Sequence, residues 1–288
     1  MPEPIPETIG LSQLAPRYDA LLCDIWGVVH NGIVPHAGAP EALAAFRAGG
    51  GVVVLITNAP YPSPSIIGGL EAMGVSSDSY DAVVSSGDVT RNLLAAYAGQ
   101  PVQHAGPRDL DAVLLDGLDI ILVPAGAPAA AVVISDLEAD NDTVADYADR
   151  MTGWLAAQLP LICAKPDKVV DVGVRLLFWG GAVADAYADL GGTVIFAGKP
   201  YPEIYAEALR LAEAAAGRKL STDRILAIGD SVRTDATGAA RMGLDLLFVT
   251  GSIHAADLGA AGHDPAAVAG LVAPSGARMV GFMAHLGW

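Results

Sequence analysis

The chain is predicted to be an α/β protein with a doubly wound, Rossmann-like core interrupted by an inserted α/β cap domain. Three observations predict it. Short, wholly apolar runs alternate with segments of helical length, the pattern of strands buried on both faces of a parallel sheet. The alternation occurs in two blocks of the same style, one before residue 98 and one after residue 200. The stretch between them carries strands and helices of its own and is bounded by the turn-rich segments Ala98-Gly99-Gln100-Pro101 and Gly191-Gly192.

In order, Ala20 to Ile25 reads as a buried strand, Pro40 to Ala48 as a helix stopped by Gly49-Gly50-Gly51, and Val52 to Thr57 as a second buried strand. Together they form a βαβ unit. Ser63 to Met73 follows as a helix ended by Gly74, then Ala82 to Ser85 as a strand and Asp88 to Tyr97 as a helix. The final block reads as a helix from Pro202 to Ala215, a strand at Ile225 to Ile228, a helix from Thr234 to Met242 and a strand at Leu244 to Val249. The insertion shows strands near Val102, at Ile120 to Val123, Val132 to Ile134 and Leu161 to Cys163, and a helix from Asp142 to Leu159. Residues 1–88 and 194–288 are accordingly assigned to the core and 89–193 to the cap.

Composition narrows the function. The 288 residues carry a formal charge of -16 and a pI near 4.5. Clustered Lys and Arg that would neutralise a phosphate backbone are missing, so a nucleic-acid partner is not expected. An acidic protein that binds a phosphorylated ligand needs local help from a metal, a lysine and backbone amides. The best candidate for a membrane span, Ile120 to Ile134, is broken by Pro124, Gly126 and Pro128, so no membrane span is expected. Met1 to Pro16 lacks a basic region followed by an apolar run and does not read as a signal peptide. Cys23 and Cys163 lie in apolar runs, as core thiols rather than a disulfide, and the protein is expected to be cytoplasmic.

Four separated elements end strands or begin helices: Asp24-Ile25-Trp26-Gly27, Ile56-Thr57-Asn58, Gly198-Lys199-Pro200, and Gly229-Asp230-Ser231 with Asp235. Each has a physical task. A carboxylate can attack phosphorus, a threonine hydroxyl and neighbouring amides can hold a phosphoryl oxygen, a lysine offsets developing charge, and further carboxylates hold a hard cation. Alone, Asp24 reads as a strand-end carboxylate; in this company it reads as a nucleophile. In order and spacing the four elements resemble the motifs of the haloacid dehalogenase (HAD) phosphatase superfamily.

The insertion lies between the threonine and lysine motifs, which resembles the class IIA branch, the N-acetylglucosamine-6-phosphatase and nitrophenyl-phosphatase-like members. The segment Val28-Val29-His30-Asn31-Gly32, leading to Pro35 and Gly38-Ala39, strengthens that likeness. The resemblance implies Asp24 as the nucleophile of an aspartyl-phosphate, Thr57 and Asn58 as phosphoryl-binding residues, and Lys199 as a bridge between phosphoryl group and Asp24. It implies Mg2+ held by Asp24, the main-chain carbonyl of Trp26 and Asp230, with Asp235 as a further ligand or an orienting residue. Asp235 also suits a helix cap. The implied substrate is a small phosphorylated metabolite, and the resemblance admits a homodimer.

One position departs from the pattern. Most hydrolytic members carry aspartate where Trp26 stands; it protonates the leaving oxygen and then activates water. Tryptophan does neither, a loss worth roughly 10² to 10⁴ in rate. Its carbonyl remains, so metal and phosphate binding are expected to survive while proton transfer suffers. His30 is the nearest titratable group in the loop; it reads either as a substitute acid or as a loop hydrogen-bonding histidine. Two functional readings follow: a phosphatase with an altered acid/base step, or a weakened HAD protein serving as a phosphometabolite sensor or partner-binding module. In the insertion, Lys165-Pro166-Asp167 resembles the segment by which class IIA caps approach substrate, so Asp167 reads either as a substrate contact or as part of a turn. Arg175 and Trp179 read as cleft-facing or cap-packing residues, and Tyr201 with Tyr205 as a packing pair.

Overall fold

The computed structural model describes residues 7, 10–139, 141–167, 169–172, 175–259 and 263–288. The chain divides into two compact units, one of residues 1–57, 64–84 and 199–288, the other of residues 58–63 and 85–198.

The first unit is built on a six-stranded sheet. Its strands are β1 (Ala20–Asp24), β2 (Val52–Thr57), β3 (Ala82–Ser85), and later in the chain β11 (Ile225–Gly229), β12 (Asp245–Val249) and β13 (Arg278–Met283). Their spatial order is β13-β12-β11-β1-β2-β3. The pairings of β1 with β2 and β11, of β11 with β12 and of β12 with β13 are parallel. β1, β2, β11 and β12 are buried at every position, which explains why they read as unbroken apolar runs rather than as alternating ones. From β1 the chain winds outward through β2 and β3; from β11 it winds the other way through β12 and β13. The reversal opens a crevice at the carboxyl ends of β1 and β11.

Helix α1 (Ala39–Ala48) presents Ala39, Ala42, Leu43 and Phe46 at the spacing of one helical face, and these join Leu21, Cys23, Val53, Leu55 and Ile228 in the main hydrophobic cluster. Helix α2 (Ser63–Ala72) adds Leu70 to it. Helix α7 (Pro202–Ala216) begins with a proline in its first turn and ends on Gly217 in the left-handed conformation, the asymmetry expected at helix ends. The helix expected over Thr234 to Met242 is divided: a π-helical turn, Val232–Ala236, leads into α8 (Thr237–Met242). Strand β13 and helix α10 (Pro265–Val272) went unread in the sequence. β13 lies at the sheet edge, and its exposed Arg278 and interior glycine hide the apolar run.

The second unit holds a five-stranded parallel sheet of β4 (Pro101–Ala105), β5 (Ile121–Val123), β6 (Ala131–Ile134), β7 (Leu161–Cys163) and β10 (Val194–Phe196), in the order β10-β7-β6-β4-β5. This too is doubly wound, with its reversal between β4 and β6. Helix α3 (Ser86–Leu94) starts on a capping box, Ser85 and Asp88 each bonding the other's backbone N–H. Helix α4 (Arg108–Leu115), the antiparallel pair β8 (Val169–Val172) and β9 (Arg175–Phe178), and helix α6 (Gly180–Asp189) complete the unit with α5 (Ala148–Ala156). The helix expected over Asp142 to Leu159 is shorter, a 3-10 turn at Val144–Tyr147 followed by α5.

The expected domain bounds of 88/89 and 193/194 need correction. Residues 85–88 start α3 and belong with the second unit, as do residues 58–63. Residues 194–198 also belong there, because Val194–Phe196 pairs with Leu161–Cys163 in the second sheet. A three-residue strand beside a glycine pair is too short for its sheet to be read from sequence.

Candidate active site

The first unit's switch point is where its acidic residues gather. Asp24 ends β1, Asp230 directly follows β11, and Asp235 sits in the π-helical turn behind it. Carboxylate oxygens of the three lie within 4.8 Å of one another, and all three residues are buried. The Lys199 Nζ donates to Asp24 Oδ1 at 2.6 Å and to Asp235 Oδ1 at 2.7 Å. The other Asp235 oxygen accepts the Ser231 N–H at 3.1 Å, so this side chain is held from both sides. The Ser252 side chain and the Ile253 backbone lie beside Asp230 and oppose the effect of burial on its pKa.

The electrostatics follow from this crowding. Burial pushes the Asp24 carboxyl well above its usual range; Lys199 opposes the shift and the Asp235 and Asp230 carboxylates reinforce it. Burial and then Asp235 push Asp230 up as well. Burial alone would lower Lys199, but Asp235 and Asp24 more than offset it and hold the ammonium well above its usual range. Three carboxylates thus face one ammonium in a buried pocket. A hard divalent cation would relieve the imbalance, and the oxygen-only donor set suits magnesium or calcium.

The loop after β1 is shaped for the same cluster. Gly27 has φ +90, and a Cβ there would lie 2.1 Å from Asp230 Oδ2 and 2.3 Å from Ser252 Oγ. Only glycine lets the backbone approach the Asp230 carboxylate this closely. The Gly27 N–H donates to the His30 carbonyl at 2.8 Å, and the His30 N–H returns to the Ile25 carbonyl, closing a tight turn.

The Trp26 and His30 side chains meet in that turn. The indole is 64% exposed and meets the His30 imidazole edge to face, with ring centroids 5.5 Å apart. His30 is buried, and its Nδ1 accepts the Gly32 N–H at 2.9 Å. Burial, and then the neighbouring His36, lower its pKa from 6.5. Of the two readings of His30, the geometry favours the loop hydrogen-bonding histidine, since its Nδ1 is committed to the Gly32 N–H.

Thr57 ends β2 one position beyond the Asp24↔Ile56 register, buried on the strand next to the nucleophile candidate. Asn58, the next residue, falls in the second unit, where a Cβ at Gly198 would lie 2.5 Å from its Oδ1. Asp167 also lies in the second unit. A Cβ on Gly181, in the first turn of α6, would meet the main-chain carbonyls of Pro166 and Asp167. Lys165 pairs with Asp136 at 3.7 Å and stacks on Trp179. The Arg175 side chain lies outside the described residues. Tyr205 is buried against α8, where a Cβ on Gly238 would meet its hydroxyl at 2.0 Å, so it packs. Ser252 and Ile253, which lie beside Asp230, carry no signal in the sequence, since a serine after a glycine means nothing without the fold.

Comparison with known proteins decides the family. A hydrolase from Brucella suis of the haloacid dehalogenase-like family is 44% identical, over 87% of this chain and 95% of that one, with a TM-score of 0.76. The chain belongs to the haloacid dehalogenase-like family. Two HAD family models match within it, haloacid dehalogenase-like hydrolase over residues 21–117 and HAD-hydrolase-like over residues 196–273. A glycerol phosphate phosphatase from Mycobacterium tuberculosis, solved with calcium, is 25% identical over 83% of this chain and 68% of its own, with a TM-score of 0.61; it has also been solved with magnesium. A p-nitrophenyl phosphatase from Archaeoglobus fulgidus shares the fold, with a TM-score of 0.71 at 16% identity over 93% of this chain and 96% of its own. No curated protein matches the chain. Among the described residues no helix is long and apolar enough to cross a membrane.

Proposed function

We propose that this HAD hydrolase is a Mg2+-dependent phosphohydrolase of the class IIA type, acting on a small phosphorylated metabolite through an aspartyl-phosphate on Asp24. The observation that carries the reading is the buried Asp24–Lys199–Asp235 chain beside Asp230 at the sheet's switch point. Asp24, Asp230 and the Trp26 carbonyl would hold the ion. Asp235 would be a further ligand or, through its bonds to Lys199 and Ser231, would orient the lysine. The bound ion would neutralise charge on the phosphoryl oxygens. Lys199 and Thr57 bind that group within the first unit, and Asn58 and Asp167 are carried over from the family resemblance as substrate contacts.

Chemistry at Asp24 needs no proton on the nucleophile. Its oxygen forms a bond to phosphorus as the bond to the leaving oxygen breaks, and the electron pair departs with that oxygen. In this chain Trp26 has no proton to give it, and the His30 Nδ1 is occupied by the Gly32 N–H. Attack of water on the aspartyl-phosphate then lacks its usual base, which slows turnover and favours the second reading, a phosphometabolite sensor, to the extent that the intermediate persists.

The test is an assay with magnesium against an aryl phosphate and a panel of alkyl phosphates. Turnover is expected with the aryl ester and lost in Asp24→Asn, and Trp26→Asp is expected to raise alkyl-ester turnover by about 10². Retained ligand binding with no turnover of any ester would replace the hydrolase by the sensor. The free buried thiols Cys23 and Cys163 suit a reducing compartment, and we place the protein in the cytoplasm without a nucleic-acid or membrane partner. The homodimer admitted by the resemblance is checked by sedimentation.

A further inference from the structure

The connection after β12 meets the carboxylate cluster through three consecutive residues. Ser252 and Ile253 lie beside Asp230, and His254 reaches the turn that follows it, where its Nε2 accepts the Val232 N–H at 3.4 Å. The other ring nitrogen, Nδ1, meets Asp257 Oδ2 at 2.9 Å. A backbone N–H can only donate, so Nε2 is the accepting nitrogen and Nδ1 carries the proton that is given to Asp257. His254 directly precedes the short helix α9 (Ala255–Leu258), which places Asp257 one turn along. The imidazole also faces the buried Phe248 of β12, with ring centroids 6.2 Å apart.

The Ser231–Val232 peptide held in this way opens the π-helical turn that carries Asp235. Its carbonyl oxygen accepts the N–H groups of Asp235 and Ala236, each at 3.0 Å. The Ser231 N–H donates to Asp235 Oδ2, whose companion oxygen accepts from Lys199. The first N–H groups of a helical turn find no partner within it, and Val232 finds His254 instead. A peptide unit is planar, so holding its oxygen and its N–H together fixes its plane. That plane sets the directions in which Asp230, on one side, and Asp235, on the other, leave it.

We infer that His254 is a positioning residue for the metal site: oriented by Asp257, it fixes the Ser231–Val232 peptide and through it the aim of Asp230 and Asp235. This rests on the magnesium-dependent reading of the cluster. The imidazole serves as an acceptor for the backbone, a task that glutamine can perform and phenylalanine cannot.

Magnesium affinity measured by calorimetry separates that task from packing. His254→Phe keeps a ring against Phe248 without an acceptor and is expected to weaken binding by about tenfold or more. His254→Gln, whose Oε1 can take the same N–H, should recover most of the loss. Asp257→Ala, at an exposed position, frees the tautomer and should give a smaller loss of the same sign; full affinity in that variant would overturn the role given to Asp257. Hydrogen exchange in the metal-free protein is the second readout. The Val232 and Asp235 amides should exchange roughly tenfold faster in His254→Phe and near the wild-type rate in His254→Gln. Equal magnesium affinities in wild type, His254→Phe and His254→Gln would overturn the inference, as would recovery in the phenylalanine variant but not in the glutamine one, or unchanged exchange at both amides. If the wild type binds no magnesium, the metal reading of Asp24, Asp230 and Asp235 fails, and the exchange rates alone decide whether His254 holds the turn.

Discussion

At the scale of single residues, the site depends on close approach. Lys199 reaches two carboxylates at once only because Asp24 and Asp235 converge on it from different elements. Gly27 is the least replaceable of the small residues, being left-handed and pressed on the Asp230 carboxylate. A methyl group there must displace Asp230 or Ser252, in a backbone conformation that costs roughly 1–2 kcal/mol for an L residue. Gly27→Ala is therefore expected to weaken magnesium binding at least tenfold while the fold persists, as read by metal titration alongside far-UV circular dichroism. Unchanged metal affinity would show that Asp230 is not a ligand. The motif residues Asp24, Thr57, Lys199, Asp230 and Asp235 were legible in the sequence because each lies at a strand end or in the connection between a strand and the next helix. The hydrogen bond of His30 was not, since it depends on one backbone N–H at Gly32 that no spacing reveals.

At the scale of elements, the second unit repeats the doubly wound plan and places polar groups at its own switch point. His104 on β4, Ser135 just after β6 and Asp111 in α4 are all buried, and one Asp111 oxygen accepts from both the His104 Nε2 and the Ser135 hydroxyl. No sequence spacing pointed to this set, because its members come from three elements brought together by the β4–β6 pairing. A carboxylate that satisfies two buried donors is costly to remove. Asp111→Ala is expected to destabilise the unit by about 3 kcal/mol. Hydrogen exchange should show it as lost protection at β4 and β6, with β1 and β2 of the first unit unaffected. Protection equal to wild type in all four strands would mean that Asp111 contributes nothing net.

At the scale of the whole molecule, the charge of -16 and the three-carboxylate pocket act in the same direction. Without a cation, folding confines negative charge that the unfolded chain can spread. A ligand that binds only the folded state stabilises it by mass action, about 2.7 kcal/mol at a hundredfold excess over its Kd. Magnesium at that excess should raise Tm by roughly 5 °C, beyond the change produced by sodium chloride at equal ionic strength. Asp230→Asn should lose the specific rise and be no less stable than wild type without metal, because it removes one of the repelling charges. A full magnesium response in that variant would place the ion elsewhere.

The α/β class, the winding of the first unit from β1 to β3, and the four motifs with the tryptophan that breaks their pattern are legible in the chain alone. Those are local properties: buried parallel strands are apolar throughout, and strand ends carry the polar residues. Where the second sheet ends, that β13 closes the edge of the first, that Ser252 and Ile253 lie beside Asp230, and that the Trp26 indole is exposed are visible in the fold alone. Each of these depends on contacts between segments far apart in the chain, and a pairing of that kind leaves no periodic trace in either partner.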